Sequence, residues 1–104
     1  MNPNEIVYNV VYVCVIADEF QSPTIETHTF STKENAEKFL AKDFADIKEE
    51  VAESEDEFYG IISADNFGYS AEILWGEKDG EIVETRHQWS IEKRTIDYTN
   101  TKGE

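Results

Sequence analysis

The residues of this chain that could do chemistry are mostly carboxylates. Of its 104 residues, 23 are Asp or Glu against nine Lys or Arg, for a formal net charge of -14. Asp43, Asp46, Glu49, Glu50, Glu53, Glu55, Asp56 and Glu57 fall within residues 43–57, where Lys48 is the only basic residue. Carboxylates strung along such a segment could act in two ways. They could present a field resembling a phosphate backbone, attracting a basic groove by the electrostatics that draw it to nucleic acid. They could also converge on a divalent cation, but that chemistry needs an oxygen-rich loop such as Asp-x-Asp-x-Asp-Gly closed by a distal Glu. Neither Glu53 to Gly60 nor Asp65-Asn-Phe-Gly68 has that pattern, so no metal site is expected. The plain alternative is that acids on the outer side of an amphipathic helix are its solvated face.

Other reactive side chains are few. Cys14 is the only thiol and stands among valines, where desolvation disfavours the thiolate that nucleophilic chemistry requires. His28 and His87 stand on separate predicted strands, and no Cys-x-x-Cys or His-x-x-x-His is present to complete a zinc set. The five glycines are dispersed and form neither Gly-x-Gly-x-x-Gly nor a P-loop. The expectation is a chain with no catalytic residue, no cofactor and no metal.

Charge and composition exclude further classes. A surface this negative repels phosphates, so direct nucleic-acid binding is not expected. A single cysteine argues against a disulfide framework and points to a reducing cytoplasm. The apolar run Ile6 to Ala17 follows Glu5 rather than a basic residue. It is shorter than the ~20 residues a membrane helix needs and lacks a signal peptide's flanks. Thirteen aromatics, six Phe, five Tyr and two Trp, give the chain more apolar bulk than disorder tolerates. The expected unit is therefore one domain over residues 1–104, with a frayed tail at 97–104.

These residues need elements to position them. Ile6 to Ala17 is rich in β-branched and aromatic residues and apolar on both alternating faces, which predicts a long central strand. Thr24 to Phe30 alternates and predicts a second strand after the break at Ser22-Pro23. Ser31-Thr-Lys-Glu34 has the form of a capping box, and Phe30 before it could serve as a hydrophobic staple. Ala36, Phe39, Leu40, Phe44, Ile47 and Val51 then recur at helical spacing, predicting a helix of about five turns. Ser54 to Gly68 reads as a loop with a short piece of structure near Ile61 and Ile62. Tyr69 to Trp75 and Glu81 to Ile91, the latter running on towards Ile96, flank Gly76-Glu-Lys-Asp-Gly80 and predict a second hairpin. The expected fold is α+β in the order ββαββ: a four-stranded antiparallel sheet, order 2-1-4-3, with one helix on one face.

One helix covers only part of one face of such a sheet. Tyr69, Trp75 and Trp89 are candidate aromatic anchors for an interface, and a second copy is one candidate to cover the open face. The functional expectation is a small acidic, non-catalytic, cytoplasmic protein-binding module whose partner is a protein, with a basic protein as the candidate. The alternative is a nucleic-acid mimic that inhibits a basic DNA- or RNA-binding enzyme, in the manner of anti-restriction or anti-CRISPR proteins.

Overall fold

The computed structural model describes residues 4–17, 22–79 and 82–97. The chain runs β1 (Asn4–Ile16), β2 (Thr24–Phe30), α1 (Lys33–Ala52), β3 (Tyr59–Asn66), β4 (Ser70–Glu77) and β5 (Val83–Asp97). All neighbours are antiparallel, in the order β2-β1-β5-β4-β3. The expected helix on an antiparallel sheet is present. The expected count of four strands is corrected to five, because residues read as a loop form β3, which adds to the sheet's edge outside β4.

The first and last strands lie side by side at the centre, as their apolar content predicts. Their ladder runs from Asn4 opposite Asp97 to Ile16 opposite Thr85. Between Tyr8 and Cys14, every other side chain of β1 packs toward the helix. Val10 and Tyr12 are buried there with Trp89 of β5, Ala71 and Ile73 of β4, and Ala36, Leu40 and Phe44 of α1. Tyr8, Cys14, Phe30, Phe39, Ile47, Ile61, Ala64 and Ile91 pack around them. Rings fill much of this layer: Phe44 meets Trp89 edge-on at 5.6 Å between centroids, and Trp89 lies 5.1 Å from Tyr12. Cys14 is thus a packing residue at the rim of the core, as its valine-rich surroundings suggest.

The helix begins one residue later than the capping-box reading places it. Thr32, extended at φ -130°, is the N-cap, and its hydroxyl accepts from the Asn35 amide at 3.1 Å. The capping residue is therefore Thr32 rather than Ser31. Phe30 packs on Phe39, 5.2 Å away between centroids, and His28 does so at 4.5 Å. Phe30 thereby ties β2 to the helix face two turns in, rather than stapling the first turn.

β3 is reached through Asp56, whose Oδ1 accepts from the amides of both Phe58 and Tyr59 at 2.8 Å. β3 carries a bulge between Ile61 and Ser63. The β3–β4 turn needs Gly68, which adopts φ +92° and donates its amide to Asn66 Oδ1 at 2.8 Å. Gly76 answers to close approach instead, since a Cβ there would collide with the Ile82 carbonyl. Of the expected tail, Asp97 closes β5, while 98–104 lie outside the described residues.

Candidate interaction surface

The acidic window does not form one uniform surface. Asp43 turns toward the sheet, and its Oδ2 accepts from the indole N–H of Trp89 at 2.8 Å. Trp89 is only 2% exposed, so this carboxylate supplies the acceptor that a buried indole donor requires. Asp46 takes a 2.8 Å ion pair from Lys42, one turn earlier on the exposed side. Hydrogen bonding to Asp46 leads its charge in raising the Lys42 pKa. Asp56 caps the approach to β3, and those two amide bonds hold its carboxyl below the usual range. Glu55 Oε2 accepts from the Ile61 amide at 3.2 Å. Four of the eight acids are therefore tied into local structure.

Glu49, Glu50, Glu53 and Glu57 remain, all exposed. Three of them occupy the helix's C-terminal end: Glu49 and Glu50 in the last turn, Glu53 as the C-cap residue, with no basic residue in that turn. Aligned peptide dipoles make this end of a helix negative, so carboxylates are disfavoured there and favoured at the other end. Glu49 and Glu53 are also four residues apart on one face, a like-charge spacing that destabilises a helix. If solubility alone were required, the same charges would cost less nearly anywhere else on the surface. The segment from Glu49 through Glu57 carries no Lys or Arg; Lys78 of the neighbouring sheet edge offsets its charge at Asp56, and the helix end itself stays negative.

Beneath that end lies a shallow hollow of about 200 Å³ lined by Val51, Ser54, Trp75, Thr85 and His87. His87 Nδ1 stands 2.7 Å from the Tyr12 hydroxyl. Burial pushes the His87 pKa down, against the opposing pull of Glu50. Burial also leads the causes that push the Tyr12 phenol up, followed by its hydrogen bond to Cys14. Both therefore stay neutral near pH 7, and the phenol oxygen and Nδ1 share one hydrogen bond whose donor is set by the imidazole tautomer. A neutral, hydrogen-bonded pair of this kind holds the sheet together.

The three aromatic candidates separate. Trp89 belongs to the core and cannot be reached from solvent. Trp75 is half-buried and stacked on Tyr59 at 5.6 Å, and its buried indole N–H finds no acceptor among the described residues. Tyr69 is 66% exposed in the β3–β4 turn, near Phe67 at 63%. Among the described residues, no group of three or more His, Cys, Asp or Glu is placed to hold a metal ion, and no helix is long and apolar enough to cross a membrane. No family model, curated protein or solved structure matches the chain.

Proposed function

We propose that this protein is a non-catalytic binding module whose working surface is the acidic C-terminal end of α1, Glu49, Glu50 and Glu53, continued by Glu57, and whose partner is a protein with a basic surface. The observation that carries this reading is the placement of carboxylates where the helix's own dipole opposes them. A charge pattern that costs folding free energy is what a binding surface looks like when function and stability compete. Basic partners would be steered to it over a Debye length of about 8 Å at physiological salt.

Photo-crosslinking in the native cell tests this. A photoreactive residue at position 50 or 53 is expected to capture one saturable basic protein. The same residue at Glu34, in the first turn of the helix, is expected not to. Equal capture from both ends, or none from either, overturns the reading. Competition with duplex DNA for the captured protein distinguishes a partner that binds nucleic acid, for which the surface acts as a mimic, from one that does not.

A further inference from the structure

The face of the sheet turned away from the helix carries a second pattern. Along β5 its residues are Glu84, Arg86, Gln88, Ser90, Glu92 and Arg94, and Arg86 and Arg94 are the only arginines of the chain. Beside them on β1 stand Val15, Val13, Val11, Asn9 and Val7, opposite Arg86, Gln88, Ser90, Glu92 and Arg94. On β2, Ile25 and Thr27 pair with Val13 and Val11. The face thus has an apolar stripe on one strand and alternating charge on the next. Within one copy the charges are only loosely held: Arg86 Nε is 3.8 Å from Glu72, and Arg94 is 3.1 Å from Glu92, all four side chains substantially exposed.

We infer that this face is the contact surface of a two-fold dimer, its occupant a second copy of the same chain. Consider a half-turn about an axis lying between two such faces and crossing the strands at the level of the paired Tyr12 and Trp89. It lays β5 antiparallel over β5 and β1 antiparallel over β1. Glu84 then faces Arg94 of the second copy, Arg86 faces Glu92, and Gln88 faces Ser90. Val11 faces Val13, and Ile25 faces Thr27. The charge order along β5 is therefore its own complement under the symmetry that an isologous dimer imposes. Two faces packed this way form an aligned sandwich.

The matched patch is small. The β1–β5 ladder spans thirteen residue pairs, or roughly 43 Å by 10 Å at the usual rise and strand spacing. Under the half-turn, residues 8–16 of β1, 24–28 of β2 and 83–95 of β5 lie over their own symmetry mates while most of β3 and β4 do not. The matched patch is therefore roughly 430 Å² at those spacings, about half of the ~800 Å² per partner of a standard specific interface and in the range of weak, reversible association. The acidic end of α1 lies on the opposite side of the sheet and stays free in such a dimer, so this inference does not depend on the function proposed above.

Sedimentation equilibrium of the intact chain at ~0.15 M salt, where long-range repulsion between like-charged copies is screened, tests it. A monomer–dimer equilibrium is expected. Arg86→Glu should weaken association about tenfold or more, since it sets like charges face to face across the interface. Adding Glu92→Arg to Arg86→Glu restores the opposite-charge pairing and should recover most of the lost association. Ser90→Lys, close to the axis and exposed, is expected to block association by forcing a long charged side chain against Gln88 of the second copy. A strict monomer at all concentrations, a dimer indifferent to Arg86→Glu and Ser90→Lys, or an Arg86→Glu defect that Glu92→Arg deepens would each overturn the inference.

Discussion

Replacing Glu49, Glu50 and Glu53 together by Gln should make this protein more stable. Each carboxylate lies at the negative pole of α1, and an adverse charge there costs about 0.3–1 kcal/mol at low ionic strength. The Glu49–Glu53 spacing adds a few tenths of a kcal/mol of repulsion. Glutamine keeps the length and helix propensity of Glu, so little else changes. The summed gain is about 1–3 kcal/mol, and each kcal/mol raises Tm by about 4–8 °C in a domain of this size. Thermal unfolding followed by circular dichroism at low salt reads this directly. The gain should shrink towards zero near ~1 M salt, where the Debye length falls to about 3 Å. Glu34→Gln provides the opposite sign: Glu34 sits in the first turn, where a carboxylate is favoured, so its loss should lower Tm. If the triple variant is unchanged or less stable at low salt while Glu34→Gln behaves as stated, the dipole argument for the helix end is wrong.

Further predictions follow from the same contacts. Asp43→Ala leaves the buried Trp89 N–H without its acceptor and should cost about 1–3 kcal/mol in urea unfolding, whereas Glu57→Gln should cost almost nothing. Leu40→Ala opens a cavity where the helix meets the sheet and should cost about 2–5 kcal/mol. Because burial depresses the His87 pKa, the folded chain binds its proton less readily than the unfolded chain. That contribution to stability is whole above the ordinary histidine value of about 6.5 and is lost as pH falls below it. In His87→Gln that part of the pH dependence should disappear, as measured by denaturant midpoints from pH 7.5 to about 5. Gly76→Ala forces the β4–β5 hairpin away from the Ile82 carbonyl and should lower Tm sharply.

Most of the scaffold is legible in the sequence because periodicity is strong where burial is strong. β1 is long and apolar, β5 is long and carries Trp89 and Ile91 on its helix-facing side, and the α1 stripe repeats over its whole length, so both the central pairing and the helix-covered face follow from side-chain patterns. β3 escapes the same reading. Gly60 and the run Asp65-Asn66 resemble loop chemistry, and the bulge between Ile61 and Ser63 breaks the alternation that marks a strand. An edge strand with one paired side also needs less apolar content to hold its place. Asp43 carried a signal: it stands three residues after Leu40, beside Phe44, on the stripe that meets the sheet, where a carboxylate must have a buried donor to face. The charge order of β5 was visible as letters, but its meaning depends on which residues share a face, and only the register supplies that.

The most direct test of the central claim is the affinity of the chain for its crosslinked basic partner, measured by titration calorimetry as salt rises from about 0.05 M to about 0.5 M. The wild-type chain should bind with an affinity that falls steeply across that range. The Glu49→Gln, Glu50→Gln, Glu53→Gln, Glu57→Gln variant should be folded and more stable, yet bind weakly and with little dependence on salt. Equal affinity for the two chains, or binding by the wild type that does not respond to salt, would contradict the account.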